Sequence, residues 1–169
     1  MNCISDPTRR KLLAAALALR ALARPARAWA HEHEGISAIR TVADFNAATW
    51  AQLLRTGPRP AAYVFTTTYC SACPAVFELL HAHIAAAHRP VELAAVVMDA
   101  QGERALAHAR HYRGISRLYA FDGFEPEIRY AVDPKWRNIT PYVVLLAEQG
   151  TGQRVIGPPD AARLHAWLN

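Results

Sequence analysis

The run Ala61-Ala62-Tyr63-Val64-Phe65, the motif Cys70-Ser71-Ala72-Cys73-Pro74 and a helix-patterned stretch follow one another directly, and this order constrains the chain more than any other feature. Two cysteines three apart on the first turn of a helix share a face at a Cα separation that a disulfide can bridge. The pair can then open and close without moving the backbone. The spacing predicts a Cys70-Cys73 disulfide and the chemistry of thiol-disulfide exchange.

Placement ranks the two sulfurs. At a helix N-terminus the unpaired N–H groups and the positive end of the dipole favour a thiolate, which makes Cys70 the expected attacking sulfur. Cys73, one turn inward, is then the resolving thiol that displaces the partner from a mixed disulfide. A zinc site would need four ligands, and no second Cys-x-x-Cys or His-x-x-x-His follows at finger or ribbon spacing. As a purely structural link, so short a loop would restrain little of the unfolded chain.

The first thirty residues stand apart. Arg9, Arg10, Lys11, Arg20, Arg24 and Arg27 against Asp6 account for the whole formal charge of +5 of the 169-residue chain. The remainder is balanced, so the basic pI gives no support to nucleic acid as a partner. Thr8-Arg9-Arg10-Lys11, the apolar run from Leu12 to Leu19 and the Ala28-Trp29-Ala30 cleavage pattern read as a twin-arginine-like export signal over 1–30. The alternative is an amphipathic N-terminal helix that stays attached. Cleavage after Ala30 would remove Cys3, leave Cys70 and Cys73 as the only cysteines and place them in the periplasm, where disulfides persist. Residues 31–39 are a polar tail. It would open with His31-Glu32-His33, a spacing able to chelate Cu(II) or Ni(II), although a solvated tail is the plainer reading.

The rest is expected to be one domain over 40–169. Ile36 to Val42 is expected as a short strand and Asp44 as the cap of a helix that buries Phe45, Ala48, Leu53 and Leu54. A strand over Ala61 to Thr68 precedes the motif. Val76, Phe77, Leu80 and Ile84 then mark one buried helical face, and Val91 to Met98 reads as a strand covered on both sides. Strand, helix and strand in that order make a parallel βαβ unit. Gly102 to Tyr112 is a surface helix, Leu118 to Phe121 a short apolar piece, and Pro126 to Val132 a helical turn or two. Thr140-Pro141 leads into the strand Tyr142 to Ala147, which turns into an antiparallel partner at Gln153 to Ile156. Pro159-Asp160 starts a last helix with Ala162, Leu164, Trp167 and Leu168 available for burial.

With the motif, the Thr140-Pro141 pair and the closing hairpin and helix in order, the chain resembles the thioredoxin superfamily, nearest its exported TlpA-like and cytochrome-c-maturation members. The resemblance implies an α/β thioredoxin-like fold, a central mixed β-sheet flanked by helices with a C-terminal β-hairpin and helix. It implies that Cys70 is the nucleophile, Cys73 the resolving cysteine and Pro141 a cis proline beside them. Tyr69, Thr140 and Tyr142 are then expected to line the approach of an extended substrate. The implied partner is a protein dithiol or disulfide, with electrons from a membrane or periplasmic dithiol, no diffusible cofactor, no metal and a monomeric chain. Reduction of the partner is the implied direction.

There are departures. Tyr69 stands where many members have Trp, Ser71-Ala72 matches neither familiar dipeptide, and Val64 occupies the position of thioredoxin's buried acid. Proton transfer from Cys73 then falls to Glu78 or a water. The copper-chaperone branch of the SCO and SenC type remains an alternative, with Cu(I) on the same thiolates. Its cysteines are one residue further apart, and His165, the nearest counterpart of its distant ligand, falls on the terminal helix. His81 with His88 and His108 with His111 read as exposed polar positions. A binding module that kept the fold without turnover is the third reading, against which both cysteines are present.

Overall fold

The computed structural model describes residues 39–149 and 152–169. The expected export signal and the tail up to residue 38 lie outside the described residues.

The chain runs through β1 (Ala43–Phe45), α1 (Ala47–Thr56), β2 (Ala61–Thr66), α2 (Cys73–Ala87), β3 (Glu92–Val97), α3 (Gly102–His108), a 3-10 turn (Ala109–His111), β4 (Arg117–Phe121), α4 (Glu125–Val132), β5 (Tyr142–Leu146), β6 (Gly152–Ile156) and α5 (Ala161–Leu168). The six strands form one sheet in the order β1-β4-β3-β2-β5-β6. The first four are parallel, β5 is antiparallel to β2, and β6 is antiparallel to β5. This is the mixed sheet with closing hairpin and helix that the resemblance implies. The β2-α2-β3 unit is parallel as expected, with Ala61 opposite Glu92 and Thr66 opposite Val97.

Strands β2 and β5 are buried along their whole length, which is why they read as continuous apolar runs rather than alternating ones. Alternation instead divides their residues between two cores. Ala62, Val64, Val143 and Leu145 face α2, α3 and α5 together with Leu93, Ala95 and Val97. Ala61, Tyr63, Phe65, Tyr142, Val144 and Leu146 face Trp50 of α1 and Ile128 and Val132 of α4. On α2, Val76, Phe77 and Leu80 are buried and Ile84 packs partly against them, the face read from the spacing. Among the described residues, no helix is long and apolar enough to cross a membrane.

The start of the domain differs from expectation. Residues 39–42 carry no strand, and the first strand is Ala43–Phe45, paired with β4 through Phe45 opposite Phe121. Asp44 lies in that strand, and Asn46 caps α1, its Oδ1 accepting from Thr49 N–H at 3.0 Å. Because Phe45 is not helical, a stripe counted from it picks the wrong face. Ala48 and Leu54 are exposed, and Trp50 is the buried anchor with Leu53 beside it. The short apolar piece at 118–121 is β4, parallel and inserted between β1 and β3. Ala162 is exposed, while Leu164, Trp167 and Leu168 bury α5.

Candidate active site

Cys70 and Cys73 are joined by a disulfide, with S–S 2.04 Å and Cα–Cα 5.5 Å. Their backbone setting differs from expectation in one respect. Helix α2 begins at Cys73 with Ala72 as N-cap, so Cys70 lies in the turn before the helix rather than on its first turn. The turn is closed by the Cys73 N–H donating to the Cys70 carbonyl at 3.2 Å and by the Cys70 N–H donating to the Thr67 carbonyl at 3.1 Å. Pro74 sits in the first helical turn, where its missing N–H costs nothing. No side chain caps this helix end, so its positive pole is left to the sulfurs.

The two sulfurs have different surroundings. Cys73 is 0% exposed and belongs to the core around Val76, Phe77 and Leu80, whereas Cys70 is half-buried at the rim of that core. The first cysteine is thus open in part to solvent and the second is closed off from it.

Register places the proline at the same end of the sheet. Tyr142 at the start of β5 lies opposite Phe65 near the end of β2, so Thr140-Pro141 and Tyr69-Cys70 flank one sheet end. The Thr140–Pro141 bond is cis, as the resemblance implied; the Arg59–Pro60 bond is cis as well, which was not foreseen. The Pro141 carbonyl accepts from Gly157 N–H at 2.8 Å, tying the start of β5 to the end of β6.

Of the expected approach residues, Tyr69 is 79% exposed and Thr140 is half-buried. Tyr142 is buried. Its ring stacks on Trp136 at 4.4 Å, and its hydroxyl donates to Asp133 Oδ2 at 2.5 Å. It faces the core under α1 and α4, on the side of the sheet away from Cys73, and does not line the approach. Ile139, one residue before Thr140, is a half-exposed apolar residue.

Three contacts that hold the site were missed from the sequence. Asp99, just past β3, accepts from the Thr68 N–H at 2.8 Å and the Thr68 hydroxyl at 2.6 Å, which staples the approach to Cys70 onto the neighbouring strand. Trp136 Nε1–H donates to the Ile139 carbonyl at 3.0 Å and fixes the loop ahead of Pro141. Tyr112 stacks on Phe77 at 4.4 Å and shares a hydrogen bond with Thr66 Oγ1 at 3.2 Å; burial pushes its phenol up to about 12. Only the first left a signal: an acid directly after a buried parallel strand lies beside the turn that leaves the next strand.

Ionisation follows the same geometry. Burial would raise the Asp133 carboxyl, but the Tyr142 hydroxyl, the Lys135 N–H and the charges of Arg154 and Lys135 outweigh it and hold the group below its ordinary value. Tyr142 is raised by burial and by that carboxylate. His108 is lowered by burial and by neighbouring His111 and Arg110, with Asp99 opposing. Glu78, offered above as a proton acceptor, is exposed and paired with Arg113 at 2.9 Å. His165 is exposed on α5, and the His108 and His111 rings lie tilted at 56° with centroids 5.0 Å apart.

No protein-family model matches the sequence, and no curated protein matches it. Solved structures do. A secreted Mycobacterium tuberculosis disulfide oxidoreductase homologous to E. coli DsbE is 22% identical, covering 64% of this chain and 81% of that one, with a TM-score of 0.47. DsbF of M. tuberculosis, in mixed oxidised and reduced forms, is 16% identical over 65% and 81%, with a TM-score of 0.48. StoA from Bacillus subtilis is 19% identical over 64% and 81%, with a TM-score of 0.45.

Proposed function

We propose that this chain is an exported, periplasmic thiol-disulfide oxidoreductase that reduces disulfides in a protein partner. One observation carries the reading: a Cys70-Cys73 disulfide at an uncapped helix N-terminus, with the first sulfur accessible and the second fully buried. In the dithiol form, the Cys70 thiolate attacks one sulfur of the partner's disulfide, and the other sulfur leaves as a thiolate that takes up a proton. Cys73, deprotonated, then attacks Cys70. The Cys70-partner bond breaks, the Cys70-Cys73 bond forms, and the partner leaves as a dithiol with two electrons gained. A second dithiol returns the chain to its reduced form. Within this scheme Pro141 and Thr140 bound the partner's path from the β5 side, and Tyr69 and Ile139 offer it apolar surface.

Replacing Cys73 with Ser should arrest the cycle after the first attack and leave the partner bonded to Cys70, visible as a reductant-sensitive adduct on non-reducing gels of periplasmic extract. Absence of any adduct, together with stoichiometric Cu(I) binding that needs both cysteines, would overturn the proposal in favour of a copper carrier. N-terminal sequencing of the exported form tests the export signal, with His31 as the expected first residue.

A further inference from the structure

Next to Pro141, at the start of β5, lies a groove of about 360 Å³ whose lining includes Asp133, Lys135, Trp136, Tyr142, Arg154 and Arg163, with Ile156 beside them. Tyr142 follows Pro141 directly and pairs with Ile156, so the groove adjoins the end of the sheet that carries the disulfide, on the face opposite the core that holds Cys73. Its floor is the Trp136–Tyr142 stack, and exposed Ile156 forms an apolar wall.

Three cations and one acid line it. The acid is occupied: Asp133 accepts the Tyr142 hydroxyl and the Lys135 backbone N–H. Arg163 is paired with Asp160 at 2.9 Å. Arg154 donates from Nε to the Val132 carbonyl at 3.2 Å, which anchors its guanidinium at the groove. Among the described residues, neither Arg154 nor Lys135 makes an ion pair. Both cations act on the Asp133 carboxylate through space without pairing to it, and two such cations beside an apolar wall fit a further carboxylate on a chain that also has apolar surface. The strand that carries Arg154 and Ile156 is the last of the sheet, so its outer edge offers backbone groups to an extended segment.

We propose that this groove docks an acidic, extended segment of the polypeptide that exchanges disulfides at Cys70, a specificity device that rests on the oxidoreductase reading above. Phe65, Tyr142 and Ile156 are successive register partners, so the groove lies about 10 Å, two strand spacings, from the end of β2. Cys70 lies beyond that end at the rim of the other face, so at about 3.3 Å per extended residue an acid that reaches Lys135 and Arg154 stands at least about three residues from the partner's reactive cysteine, and positions three to six sample the span.

The test uses the reduced protein and two ten-residue peptides, each carrying one cysteine as a mixed disulfide with a nitrothiobenzoate leaving group. One has Asp and Glu at the third to sixth positions from the cysteine; the other has Asn and Gln there. The acidic peptide should react about tenfold faster at low salt, and the ratio should approach one at high salt. Lys135→Gln and Arg154→Gln should each cut the preference several-fold while leaving the rate with uncharged hydroxyethyl disulfide unchanged. Lys135 is exposed and donates no side-chain hydrogen bond among the described residues, so its variant is not expected to disturb folding. Equal rates for the two peptides, or a preference that survives both substitutions or high salt, would overturn the proposal. So would concentration-dependent dimerisation abolished by Lys135→Gln, which would assign the groove to a second copy of this chain. Failure to react even with hydroxyethyl disulfide would instead count against the oxidoreductase reading and would be told apart on that ground.

Discussion

The two faces of the sheet are packed with different chemistry. The face under α2, α3 and α5 is mostly aliphatic, with Val64, Leu93, Val97, Leu118, Val143 and Leu145 around Cys73 and Phe77. The face under α1 and α4 is an aromatic assembly of Phe45, Trp50, Tyr63, Phe65, Tyr119, Phe121, Trp136 and Tyr142, with ring centroids 4.4 to 6.5 Å apart. The first face holds the fully buried sulfur of Cys73; the second holds the proline loop, through the Trp136 indole on the Ile139 carbonyl. The difference separates two tasks. Under the proposed function, one face would set the environment of the reacting sulfurs and the other would fix the surface against which a partner lies.

Matched truncations would break or confirm this division. Phe77→Ala and Trp136→Ala should each cost about 3–5 kcal/mol in denaturant unfolding, as deletions of large buried rings do. Phe77→Ala should also change the pH profile of Cys70 alkylation, because Phe77 is one turn beyond Cys73. Trp136→Ala should leave that profile alone and slow exchange with a peptide disulfide more than with a small one. If both variants move the profile equally, the division of labour is wrong.

A smaller effect is expected at the seam between the strands. Asp99→Ala removes two hydrogen bonds to Thr68 and should cost about 1–2 kcal/mol, with a slower and less selective reaction at Cys70. Asp99→Asn keeps an acceptor and should recover part of the loss. An unchanged rate in the alanine variant would show that the staple does not position Cys70.

Titration reaches both faces, and buried phenols are raised on each. The Tyr112 phenol is raised from 10.0 to about 12 in the folded chain, so its contribution to stability is full below pH 10 and is lost as pH rises from 10 towards 12. Tyr112→Phe should flatten that alkaline loss in urea titrations at stepped pH. On the other face the Asp133 carboxyl is lowered, so its contribution is full above its ordinary 3.8 and disappears as pH falls through the lower folded value. Asp133→Asn should therefore weaken the fold at neutral pH and change it little in strong acid. The smallest expected effect is at Glu78: with an exposed pair to Arg113, Glu78→Gln should shift stability by no more than about 0.5 kcal/mol and leave the exchange rate unaltered. A large loss of rate there would restore Glu78 as the proton acceptor for Cys73.

The βαβ unit and closing hairpin were legible because each rests on a local signal: continuous apolar strands, a helical stripe from Val76 to Ile84, and turn residues between periodic segments. The disulfide was legible from spacing alone, whereas the cis bond at Pro141 came only from the resemblance. What was missed is non-local. Tyr142 reads as an apolar residue after a proline, and nothing adjacent in sequence says that Trp136 stacks beneath it or that Asp133 takes its hydroxyl. The helix stripe at Ala48 and Leu54 failed for a related reason, since the true start of α1 is decided by Phe45 pairing across to Phe121. Asp99 reaches Thr68 across thirty-one positions, a distance that only the parallel strand pairing closes.

The asymmetry of the two thiols is tested most directly by alkylating the reduced protein over a range of pH and locating the label by mass. The account predicts rapid labelling at Cys70 alone, with a midpoint well below the ordinary thiol value of about 8.5, while Cys73 stays protected until the chain unfolds. Equal, slow labelling of both cysteines with an ordinary midpoint would contradict it.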